Sequence, residues 1–192
     1  MRHTALRPAP VLVALLLLGA GFHPLAAQDE WGTAERSISR LAPISFSKVP
    51  PKITEALENR RCLIPQAGGD SVPHSVIKGS FVRPGQTDWA ALCSRARAST
   101  IVIIWGGPST CPDEMEVRQD KSYLIKGDDG VIRYRRRIET IVPSKIKALF
   151  NRYGGDPPPP LTHDGITDRF QGKGTSIRYC YEGKWQELTG EQ

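Results

Sequence analysis

The sequence contains no Gly-x-Ser-x-Gly nucleophile elbow, no His-Glu-x-x-His zinc helix and no glycine-rich loop ending in Gly-Lys-Ser/Thr. The commonest hydrolase, metalloprotease and nucleotide-binding signatures are thereby excluded. No two cysteines stand at the C-x₂₋₄-C spacing of structural zinc sites, and no motif calls for a cofactor or a metal. Long apolar runs are also missing. The longest, Val11 to Leu18, reaches about twelve residues with its Gly/Ala/Phe tail, against about 20 for a bilayer core, so no stable membrane anchor is expected.

That short run has a different meaning. Arg2 and Arg7 precede it without any acid, and Pro24, Ala26 and Ala27 follow it before the polar Gln28, Asp29 and Glu30. A charged start, an apolar centre and small residues at the end describe a secretory signal peptide over residues 1 to 27, cut after Ala27. Leu25 stands where a small residue is preferred, so a cut one or two residues away is the alternative. No cysteine follows the run, which removes a lipoprotein anchor. The expected location is the periplasm or the exterior.

Cys62, Cys93, Cys111 and Cys180 all lie beyond the leader, and four cysteines in an exported chain read as two disulfides. Three connectivities are open. Cys62 with Cys93 and Cys111 with Cys180 is favoured because it makes two consecutive closures. Without Arg2 and Arg7 the 26 basic residues become 24 against 20 acids, a net charge of only +4. Between Val131 and Arg152, Glu139 is the single acid among Arg133, Arg135, Arg136, Arg137, Lys145, Lys147 and Arg152. Any electrostatic preference is therefore local.

Pro50 and Pro51 close a charged, serine-containing stretch, so residues 28 to 51 are expected to form a partly flexible arm, ahead of a single α+β domain over 52 to 192. In that domain the spacing of Ile53, Ala56 and Leu57 predicts a helix over Lys52 to Arg61. Strands are expected over Ser75 to Val82, Thr87 to Ser94 and Thr100 to Trp105, a small antiparallel meander. The third is apolar on both faces and should be covered on each. Two more strands, Lys121 to Lys126 and Val131 to Thr140, flank the turn Gly127-Asp128-Asp129-Gly130. A helix over Ser144 to Tyr153, with Ser144 as N-cap, precedes a stiff spacer of Pro157 to Pro160 and a closing hairpin, Thr175 to Tyr181 and Lys184 to Leu188. The fold expected is α+β, a small antiparallel sheet flanked by two short helices and tied by disulfides. Trp89 and Trp105 are expected in its core, Trp185 nearer the surface.

Lys78-Gly79-Ser80-Phe81, Gln86-Thr87-Asp88-Trp89-Ala90 and Ser99 to Trp105 resemble one blade of an FG-GAP or VCBS-type repeat. The likeness covers under 30 of the 192 residues, and the family's calcium loop is represented by Asp88 alone, so metal binding does not follow from it. The same residues, with Cys62 and Cys93, are similar to secreted bacterial proteins of undefined activity.

Three functions are compatible with these residues. The first is a non-enzymatic exported accessory or binding module, expected to be monomeric, whose partner is left open between an anionic polymer and a cell-envelope component. The second is a hydrolase using His163 with Asp164 or Asp168 as base and orienter. His163-Asp164-Gly165 reads more readily as turn chemistry, with Asp164 bonded to the backbone and Gly165 left-handed. The third is a binder of an anionic polymer. Arg133, Arg135 and Arg137 would share one face of a strand about 7 Å apart, suited to phosphates or acidic sugars. A solvated edge strand guarded by charge is the bland alternative.

Overall fold

The computed structural model describes residues 25 to 191, with side chains from residue 30. In chain order these form α1 (Leu25–Arg36), β1 (Arg40–Leu41), α2 (Pro51–Asn59), β2 (Ile64–Pro65), β3 (Val76–Gly79), β4 (Asp88–Arg95), β5 (Ala98–Ile104) and β6 (Arg118–Gln119). Then come β7 (Leu124–Lys126), β8 (Ile132–Tyr134), β9 (Arg136–Ile141), α3 (Pro143–Tyr153), β10 (Gly165–Phe170), β11 (Gly174–Tyr181) and β12 (Lys184–Thr189). The chain has the α+β class expected, but its strands divide among several antiparallel sheets where one was foreseen. One four-stranded sheet has the order β3-β4-β5-β6, another β12-β11-β10-β9, and β1-β2 and β7-β8 are two-stranded. The expected leader lies outside the described residues, apart from 25 to 27 at the start of α1. Among the described residues no helix is long and apolar enough to cross a membrane.

Burial on both faces of β4 and β5 dictates a layered arrangement. Ala90, Leu92, Ile101 and Ile103 point to one side and meet Ile138 and Ile166 of the second sheet. Ala91, Cys93 and Val102 point to the other side and meet Leu57 of α2. The second sheet is covered in turn by α3, whose Ile146 packs on Ile141, Ile177 and Tyr179. The layers thus run helix, sheet, sheet, helix. Fully burying side chains such as Leu92 or Ile101 contributes roughly 1.5–3 kcal/mol each.

Disulfides join Cys62 to Cys93 and Cys111 to Cys180. The first stitches the end of α2 to the sheet beneath it, and the second links the two sheets. Part of residues 28 to 51 packs on the domain. Ile38 and Phe46 are buried, and the Arg40 guanidinium reaches the fully buried Asp120 carboxylate at 2.7 Å.

Several boundaries move for local reasons. β3 is shorter than the strand expected over Ser75 to Val82. Ser75 has φ 69°, and the Ser80 and Phe81 amides donate to the carboxylates of Asp164 and Asp88 rather than to a neighbouring strand. α3 starts at Pro143, not Ser144, because proline at the first helical position gives up no needed donor. Trp89 and Trp105 are half-buried rather than core, and Trp105 stacks on Trp185 with centroids 6.0 Å apart.

Candidate functional site

The arginine run does not form one strand. β8 ends at Tyr134 and β9 begins at Arg136. At Arg135 the chain changes partners, its amide donating to Tyr123 and its carbonyl accepting from Gln171. The alternation survives the change, with Tyr134 and Arg136 buried while Arg133, Arg135 and Arg137 are half-exposed. What the three guanidiniums hold is the protein itself. Arg133 grips Asp129 through two bonds of 2.9 and 2.6 Å, and this holds the exposed Asp129 carboxyl down at about 2. Arg135 donates to the Gly68 carbonyl at 3.1 Å, and Arg137 pairs with Asp70 at 3.1 Å and Glu139 at 3.0 Å.

The His163 cluster is likewise occupied. Its imidazole is buried, stacked on Tyr179 at 4.2 Å, with Nδ1 2.9 Å from the Asp164 carbonyl and Nε2 2.9 Å from the Cys180 carbonyl. Asp164 turns its carboxylate to the Ser80 amide at 3.0 Å, and its own amide donates to the Ser80 carbonyl. Gly165 is not left-handed; it opens β10, where an added Cβ would press on Ile146 of α3 and Ile177. Asp168 accepts from Nε and from one arm, Nη2, of the Arg136 guanidinium, each at 2.8 Å. Neither carboxylate orients the imidazole, so the base-and-orienter geometry of the hydrolase reading is not assembled.

Asp88, the residue of the calcium-loop resemblance, is fully buried and accepts from Phe81 N, Gln86 Nε2 and Gly106 N between 2.7 and 2.9 Å. Three N–H groups satisfy it where the repeat family would place a cation. Among the described residues no group of three or more His, Cys, Asp or Glu could hold a metal ion.

Two of the polar-lined clefts involve residues of the candidate sets. The larger, about 850 Å³, opens beside the β10–β11 turn and is lined by Arg135, Arg169 and Lys173 with Glu191 as its one acid. Glu191 pairs with Arg169 at 3.2 Å, leaving the lining cationic. The smaller, about 330 Å³, lies between the two four-stranded sheets, with Arg136, Asp168, Met115 and Trp185 among its walls. Burial alone would lower the Arg136 pKa, but the bonds and charge of Asp168 outweigh it and raise it further, so the guanidinium stays charged. The Tyr123 ring lies over it at 4.4 Å. Burial raises the pKa of this phenol, so it stays neutral.

Sequence reasoning found Arg135 but missed Arg169, Lys173 and the pairing of Arg136 with Asp168. Arg169 sits directly opposite Arg137 across β9 and β10. Only knowledge of that register, absent from the sequence, would have joined them. Compared with protein-family models, curated proteins and solved structures, the chain shows no match.

Proposed function

We propose that the chain is exported by its N-terminal leader to the periplasm or the exterior and works there as a non-catalytic binding module. Its two disulfides fit an oxidising compartment. The residues that would serve a hydrolase are instead engaged in holding the fold: His163 against backbone carbonyls, Asp164 on Ser80 and Asp168 on Arg136.

The ligand reading rests on one observation, the cationic lining of the cleft of about 850 Å³ by Arg135, Arg169 and Lys173. Such a surface suits an anionic polymer of the cell envelope, an acidic or phosphorylated glycan, better than an uncharged partner. The binding surface is thus Arg135 with two cations from β10 and its turn, rather than the row Arg133, Arg135 and Arg137.

Heparin and lipopolysaccharide serve as probes. Binding is expected to weaken with salt along a log–log slope of roughly 2 to 3, one counterion for each engaged cation. Replacing Arg135 and Lys173 together with Ala should reduce that slope to about 1. Unchanged affinity and slope in the double variant would remove the cleft from the proposal.

A further inference from the structure

We infer that the cleft between the two four-stranded sheets is a second binding site, one that takes an uncharged sugar ring. The inference is independent of the cationic cleft. Where β3 and β9 approach each other the sheets are closed, Thr140 Oγ1 donating to the Lys78 carbonyl at 2.8 Å. Their middle is filled by Leu92, Ile101, Ile138 and Ile166. Toward β6 and β12 the sheets part, leaving about 330 Å³, at the lower end of the range for small-molecule sites.

The floor of this opening is a buried ion pair. Arg136 and Asp168 are 3% and 8% exposed, and a second Arg136 arm donates to Ser99 Oγ at 3.1 Å. The two residues lie on neighbouring strands, β9 and β10, of one sheet. Removing two charges from water costs free energy that their attraction barely offsets, and a well-packed apolar pair of similar shape is often as stable. Stability therefore does not account for charged residues at this position. Their mutual bonds also leave N–H donors on the guanidinium and lone pairs on the carboxylate. A ligand group that both donates and accepts can use these.

The side wall is Trp185. Its indole N–H is committed to the Pro112 carbonyl at 2.9 Å and it stacks on Trp105, so what it offers a ligand is ring surface. The rim is charged and largely paired. Arg118 pairs with Glu116 at 2.6 Å, Glu114 with Arg95 at 2.8 Å and Arg178, through Nη1, with Glu187, so that Arg178 keeps further N–H donors at the mouth beside Lys184.

These features select among ligands. A polyanion would meet the carboxylates and a polycation the guanidiniums, and a purely apolar molecule would strand both. A pyranose has one face of C–H groups for an aromatic ring and an edge of hydroxyls, each a donor and an acceptor, for planar guanidinium and carboxylate groups.

The test titrates the folded chain with glucose, galactose and N-acetylglucosamine, following the Trp185 indole N–H by ¹H–¹⁵N NMR and affinity by calorimetry. At least one sugar should shift that signal saturably while the amides of Lys173 and Gly174 stay in place. Arg178→Ala should weaken binding at least about tenfold, and Trp185→Ala should abolish it. Melting curves check that each variant folds; should Trp185→Ala not fold, Arg178→Ala decides alone. The proposal is overturned if no sugar gives a saturable shift, if the sugar moves Lys173 and Gly174 instead, if phosphate or citrate alone moves Trp185, or if Arg178→Ala binds as the wild type does.

Discussion

His74 shows how one side chain records its surroundings. Its Nε2 accepts the Ala67 amide at 2.9 Å, which requires a lone pair there and so the neutral ring. Burial lowers its pKa below the ordinary 6.5, and Arg137 adds to the effect. The Val72 carbonyl beside Nδ1 and the carboxylates of Asp70 and Glu139 oppose it without reversing it. The unfolded chain therefore binds the proton more tightly than the folded one. The stability His74 contributes is complete above its unfolded pKa and is lost as pH falls through the folded value. Between about pH 7.5 and pH 5 the urea midpoint of the wild type should fall further than that of His74→Gln, whose amide keeps an acceptor without titrating. Equal falls would mean that His74 titrates alike in both states. Arg40 is a different case: it carries the charge that makes Asp120 tolerable in the interior, with Ser94 Oγ donating to the same oxygen at 2.6 Å.

Among the elements, the β4–β5 hairpin shows what the sequence can and cannot disclose. Ile101 to Ile104 could be read as a central strand because apolar residues on both faces admit few other structures. Alternation likewise set Tyr134 and Arg136 on the face opposite Arg133, Arg135 and Arg137, and that face is the buried one. The partners Gly68, Asp70 and Asp168 of the arginine run were hidden, because they reach it from distant parts of the chain. β10 was hidden too: Gly165 reads locally as a turn, and it is the pairing with β9 on one side and β11 on the other that makes this segment a strand. Of the two clefts, Arg135 and Asp168 were singled out beforehand, each for another reason, since a concave surface is a property of how sheets meet. Gly106, at the end of β5, is a second glycine held by close approach. An added Cβ would overlap the Thr87 carbonyl oxygen, and its own amide is fixed to Asp88 at 2.9 Å, so neither backbone can withdraw. Gly106→Ala should cost about 2 kcal/mol, roughly 4 to 8 °C in Tm for a chain of this size. A Tm within a degree of the wild type would show that the loop yields.

For the molecule as a whole, the disulfides differ in position more than in entropy. Their sequence separations are 31 and 69 residues, and loop closure makes each contribute about 4 kcal/mol, the longer slightly more. Against the roughly 5–15 kcal/mol of a typical domain, the pair amounts to a large share of the total. Cys62–Cys93 lies within one layer boundary, where Leu63 and Ser94 already pair their backbones. Cys111–Cys180 instead crosses between the sheets on the side where they part, next to the Trp185–Pro112 hydrogen bond. Replacing either pair with Ala should lower stability by a similar amount. Only Cys111→Ala with Cys180→Ala should let the sheets move apart, loosening the Trp105–Trp185 stack and dimming its near-ultraviolet circular dichroism below the Tm. The Cys62→Ala with Cys93→Ala protein should keep that signal until it melts. If both double variants retain the tryptophan signal, the packing of Ile138 and Ile166 on the first sheet suffices to fix the cleft, and the crosslink acts only on the unfolded chain.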